Sequence, residues 1–65
     1  MSAKLWDVVA VNVDSRAVRM IAKGKTENEA GAIVMMAVAR RGVEDEFFAE
    51  VESGMYSTGD RWEPQ

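Results

Sequence analysis

Cysteine and histidine are both absent from the 65 residues, and there is a single proline. Without cysteine the chain forms no disulfide and offers no thiolate metal site. Without histidine it lacks the commonest zinc ligand and the commonest general base. No Gly-x-Ser-x-Gly is present, carboxylates cluster only in one surface-type run, and so short a chain cannot enclose a deep pocket. An enzyme is therefore not expected, and neither a cofactor nor a bound metal is expected. Nothing approaches the ~20 consecutive apolar residues of a membrane-spanning helix. The opening "MSAKLWDVV" has one lysine and no apolar run of signal-peptide length, so a cytoplasmic location without membrane contact is expected.

The chain reads as one small domain over 1–65. A domain of this size buries only about 60% of the surface its unfolded chain exposes, so its core needs a supplement. With disulfides and thiolate metal sites removed, association with another chain is the remaining one. Net charge is −3, unevenly spread: residues 1–41 carry +3 and residues 42–65 carry −6. That asymmetry concerns partners and solubility rather than fold.

Valine-rich "LWDVVAVNV" (5–13) is apolar on both faces, with Leu5, Val9, Val11 and Val13 on one and Trp6, Val8 and Ala10 on the other. It predicts an interior strand. Asp14 to Ala17 can close a hairpin. "AVRMIAK" then alternates as a second strand, Val18, Met20 and Ala22 sharing a face and Ile21 standing out as an exception.

In "AKGKTENEA" the Gly24-Lys25-Thr26 triplet has the ending of a phosphate-binding loop. That motif needs a glycine five residues upstream, and Arg19 stands there, inside a strand. The same letters serve a helix start better. Thr26 and Glu29 have capping-box spacing ahead of an apolar run, and Glu27 and Glu29 sit where the helix dipole favours acids. Arg40, Arg41 and Gly42 mark the other end, so a helix is predicted over Thr26–Arg41. "VEDEFFAEVES" follows, with Val43, Phe47, Ala49 and Val51 alternating against Glu44, Glu46, Glu50 and Glu52. It predicts a third strand with an acidic outer face and an outward Phe48; a short helix over 44–51 competes. Glycines at 54 and 59 suggest turns around a short fourth strand near Met55–Ser57, with an irregular tail over 58–65. The fold class is α+β: an antiparallel three- to four-stranded sheet, β-β-α-β with an optional short terminal strand, and one helix on one face.

The helix carries the strongest functional signal. Ala30, Ile33, Val34, Ala37 and Val38 form a stripe expected to face the sheet. The opposite side holds Ala32, Met35, Met36 and Ala39 where a lone covering helix should be polar. A homodimer through those four residues is expected, small side chains admitting a close neighbour and methionine packing adaptably. The acidic run is too widely spaced for one ion, successive carboxylates on a strand face being about 6.6–7 Å apart. Glu44, Glu46, Glu50 and Glu52 with Phe48 are candidates for contact with a protein partner, a solvated strand face being the plain alternative. Arg16, Arg19, Lys23 and Lys25 would serve a nucleic-acid contact, but no stacking aromatics are interleaved among them. Trp6, Phe48, Tyr56 and Trp62 are either a second contact patch or core.

The stretch "VDSRAVRMIAKGKTENEAGAIVMMAVARRGVEDEFF" resembles small phage- and prophage-encoded ββαβ proteins. There a hairpin precedes a KT-x-x-x-A-x-AI helix ending in RRG, and an acidic aromatic strand follows. Phage proteins of this build often bind and block a host protein, as some anti-CRISPR and host-takeover proteins do. The resemblance implies a binding role in a host cytoplasm and transfers no functional residue. A nucleic-acid-binding accessory protein and a structural or assembly subunit are the alternatives.

Overall fold

The computed structural model describes residues 4–40 and 45–63. Three strands form one antiparallel sheet in the order β2-β1-β3: β1 (Trp6–Asn12), β2 (Val18–Lys25) and β3 (Glu46–Glu52). A single helix, α1 (Glu27–Arg40), follows β2. The expected α+β, β-β-α-β architecture is the one observed. Segment 44–51 is settled as strand from Glu46 onward. Arg41, Gly42, Val43 and Glu44, with the proposed glycine cap among them, lie outside the described residues, as do residues 64 and 65.

β1 takes the central place because it can be buried on both sides. Every residue from Asp7 to Val11 is fully inaccessible to solvent, and branched valines suit a pleat packed on both faces. The hairpin needs no glycine. Asn12 Oδ1 accepts from the amides of Asp14 (2.9 Å) and Ser15 (2.8 Å), and the Arg16 amide closes on the Asn12 carbonyl at 2.9 Å. Arg16 takes the left-handed conformation, φ 66°. For a side chain with Cβ that costs on the order of 1 kcal/mol, offset by the hydrogen bonds that Asn12 supplies.

β3 runs alongside β1 in unbroken register from Trp6↔Glu52 to Asn12↔Glu46. β2 does not. Met20 opposes Val9 while Ala22 opposes Val8, so Ile21 is an extra residue; a second irregularity follows before Lys25↔Trp6. Ala22 is thereby moved off the face that holds Val18 and Met20, correcting the alternation expected for this strand. The Ile21 exception is a β-bulge.

The two faces of the sheet are closed by different parts of the chain. Val9, Val11, Val18 and Val51 form a core cluster on one face, with Met20, Phe47, Ala49, Tyr56 and Trp62 packed against it. Helix α1 lies on the other face, over Val8, Ala10 and Phe48. Accordingly, Ile21 shares a groove with Ile33, Met36, Ala37 and Arg40, and Glu50 Oε2 is 4.0 Å from where a Cβ on Gly31 would sit. The segment over 58–63 is irregular, as expected, but it is docked rather than free. No strand forms at Met55–Ser57; instead residues 58–62 bind along the outer edge of β2. Gly59 N–H donates to the Val18 carbonyl (2.9 Å), Val18 N–H to Asp60 (2.9 Å) and Trp62 N–H to Arg16 (2.8 Å). Thr58 Oγ1 accepts from the Met20 amide at 3.1 Å. These contacts cover the start of that edge, up to Met20, and so shorten the stretch of β2 open to another strand.

Candidate interaction surfaces

α1 begins as its sequence dictates. The Glu29 amide donates to Thr26 Oγ1 at 3.2 Å, and the Thr26 amide donates to Glu29 Oε1 at 3.1 Å. That is the reciprocal capping box. Its backbone hydrogen bond, then the Thr26 hydroxyl, lowers the Glu29 pKa. The phosphate-like triplet is therefore committed to a helix terminus.

Burial along α1 is thin. Ala30 alone is fully buried, with Ile33, Val34 and Ala37 half-buried. Val38, expected against the sheet, is 48% exposed. It sits about 100° round the helix from Ala37, on the flank rather than beneath. Met35 is 74% and Met36 51% exposed, and Ala32 and Ala39 are exposed beside them. The four residues singled out for self-association thus form a continuous apolar surface on the side of α1 away from the sheet. Toward β2 this surface runs into the groove lined by Ile21, Ile33, Met36, Ala37 and Arg40, of about 260 Å³. Leu5, Val13 and Met55 are also exposed, but they are far apart in the chain.

The acidic strand residues occupy a different setting from the one expected. Glu46, Phe48, Glu50 and Glu52 do share a face of β3, but it is the face on which α1 lies, so it is not an outer face. Phe48 does not point outward; it is half-buried, opposite the small side chain of Ala10. Glu46 pairs with Arg19 Nη2 at 3.0 Å, reaching across β1, and Glu52 pairs with Lys4 at 2.9 Å. Lys4 also stands 5.5 Å over the Trp6 ring. Glu50 is exposed beside the N-terminal half of α1.

The basic residues are not gathered into one platform. Arg16 lies in the hairpin turn and Arg19 is paired with Glu46. Lys23 and Lys25 lie at the far end of β2, about 20–30 Å from the turn at ~3.3 Å per residue. The aromatics are likewise divided. Tyr56 stacks on Trp62 (centroids 5.2 Å apart) and Phe47 meets Trp62 edge-on at 5.6 Å. Trp6 and Phe48 belong to the opposite face. The four aromatics considered as one patch are parts of two layers.

Sequence reasoning passed over Asp7. This carboxylate sits at zero exposure in the middle of the sheet. Its Oδ1 accepts from the Gly24 amide at 2.9 Å and its Oδ2 from the Gly54 amide at 3.0 Å. Burial would raise its pKa, but the two backbone amides, the Ser53 side chain and the charge of Lys23 together hold it below the ordinary value. Gly24 and Gly54 both have positive φ, 65° and 87°, the conformations that bring their amides onto the carboxylate. Asp7 fastens the β2–α1 junction and the turn after β3 to the central strand. A lone acid inside a valine strand was the available signal, since a buried charge requires donors.

Fold and surfaces together define a small open-sheet α+β domain with an uncovered apolar helix face. Among the described residues no helix is long and apolar enough to cross a membrane, and no cluster of acidic residues is arranged to hold a metal ion. Comparison with protein-family models, with curated proteins and with solved structures finds no match.

Proposed function

We propose that this protein is a non-enzymatic interaction domain that self-associates through the outer face of α1 and presents the resulting dimer to a macromolecular partner. The observation that carries this reading is the exposure of Met35, Met36 and Val38 (74, 51 and 48%) on one helix, next to Ala32 and Ala39. Large adjoining apolar side chains exposed together mark association surfaces, unlike apolar residues exposed singly. Methionine suits such a surface because its flexible thioether adapts to the neighbour it meets. The thin burial of α1 points the same way, since a second chain would add the packing that this short chain cannot supply for itself.

For the partner, the phage-type resemblance favours a host protein in the host cytoplasm. Of the acidic residues on β3, Glu50 and Glu52 stay exposed beside α1 and are the ones that would meet it. The nucleic-acid alternative is weaker, because Arg19 is paired and the remaining basic residues are split between the hairpin turn and the far end of β2.

Sedimentation equilibrium over a range of concentrations tests the reading. The wild type is expected to sediment as a dimer and Met35→Glu as a monomer. A wild type that stays monomeric at every concentration would falsify it.

A further inference from the structure

Two copies could meet on α1 with their helices parallel or antiparallel, and the side chains discriminate between the two. Asn28, Ala32, Met35 and Ala39 recur at spacings of four, three and four, the seam spacing of a two-stranded helix pair. All four are exposed, and at 3.6 residues per turn they lie opposite the Ala30–Ala37 side that meets the sheet. The seam is centred between Ala32 and Met35, which is also the middle of Glu27–Arg40. An antiparallel pair about that centre therefore overlaps along the whole helix.

In that arrangement Ala32 meets Met35 of the second copy, Met35 meets its Ala32, and Asn28 meets its Ala39. Each central layer combines one small and one large side chain, and on the flank Gly31 comes beside Val38 of the second copy. A parallel pair stacks Met35 on Met35 and Ala32 on Ala32, one layer crowded and the next underfilled, and both faults cost packing energy. Charge selects the same direction. The first turn of α1 carries Glu27 and Glu29 and its last turn carries Arg40. Antiparallel helices set the acidic end of each beside the basic end of the other and oppose their dipoles favourably, whereas parallel helices set like charges together.

We infer that α1 pairs antiparallel with α1 of a second copy, about a two-fold axis passing between Ala32 and Met35. This rests on the reading of α1 as the self-association surface, and the test separates the two. The chain has no cysteine of its own, so Asn28→Cys and Ala39→Cys, both at exposed positions, can each be prepared as a single-thiol protein. A short bismaleimide is applied to each alone and to an equimolar mixture. The antiparallel pair yields cross-linked dimer from the mixture and none from either variant alone, because like positions then lie about 16 Å apart along the axis. Cross-linking of either variant with itself, falling to about half in the equimolar mixture where half the pairs are unlike, indicates a parallel pair and overturns this inference while leaving the self-association reading standing. A wild type that sediments as a dimer yet gives no cross-link in any sample overturns the α1 interface. A monomeric wild type overturns both.

Discussion

The two faces of this sheet are finished to different degrees. On one, a turn and an irregular segment bring Tyr56 and Trp62 onto Phe47 and the valine cluster, and their backbone groups are tied to β2. On the other, α1 covers Val8 and Ala10 but is itself fully buried only at Ala30 and leaves its methionines exposed. The difference shows how a chain of this size allots its apolar residues: one face is closed by the chain's own terminal segment, and the helix on the other carries apolar surface that the described residues leave exposed. Substitutions on the first face should cost stability, and substitutions on the outer side of α1 should cost association.

The largest loss of stability is expected at Asp7, which faces the completed side. Asp7→Ala removes a fully buried carboxylate and leaves the part-buried Gly24 and Gly54 amides without their acceptor, and should cost roughly 3 kcal/mol by denaturant titration. The pH dependence has a fixed sign. The carboxyl's folded pKa lies below its ordinary 3.8. Its contribution is therefore complete above that value and is lost as pH falls through the lower, folded pKa. The stability difference between wild type and Asp7→Asn should shrink on acidification below about pH 4. A difference constant down to pH 2 would show that the charge of Asp7 contributes nothing.

Trp62→Ala should follow. Losing the stack on Tyr56 and the edge contact with Phe47 uncovers Val9, Val11, Val18 and Val51, and a cost of about 2 kcal/mol is expected, below the range for a fully buried tryptophan because Trp62 is only half-buried. Amide exchange should also rise at Val18, whose N–H bonds to Asp60 in the same segment. Unchanged protection there would mean that segment 58–62 does not depend on its aromatic anchor.

How much of this was legible in the sequence depends on how far apart the interacting groups stand. The capping box, the valine strand and the start of the helix were readable because each is fixed by residues within a turn or an alternation of one another. Thr26 and Glu29 are three apart and do as their spacing says. Asp7 finds its donors 17 and 47 residues away, and nothing local to "LWDVV" names them. The bulge at Ile21 left a trace as an exception to alternation but no indication of its cause. The choice of face for α1 was equally hidden, since it depends on the terminal segment docking on the opposite side. That single unread contact made the acidic residues of β3 look like an outer face and Phe48 look exposed. The uncovered side of α1 was legible because helical periodicity alone separates its two sides, although Val38 on the flank was assigned to the wrong one.

Thr26→Ala is expected to cost about 1 kcal/mol, the ordinary loss on removing a cap. It sharpens the contrast, because α1 serves both layers. A weakened first turn should reduce stability and, through it, any association that depends on an intact helix. Retention of full helical circular dichroism and wild-type stability would mean that packing on β1 and β3 alone holds the start of α1.

The smallest effect on stability, within about 0.5 kcal/mol, is expected for Met35→Glu in protein dilute enough to be monomeric. Met35 is 74% exposed, so the substitution removes little from the domain's own packing and adds a solvated charge. At higher concentration the wild type should gain stability from mass action if it dimerises through α1, since dimerisation would draw on the folded form only. The variant should not. The unfolding midpoints of the two proteins should therefore coincide when dilute and diverge as concentration rises, wild type above variant. Parallel curves would place Met35 outside any interface; a large deficit already present at dilution would mean that α1 relies on Met35 within its own chain, and the two sides of the helix would then not be distinct in role.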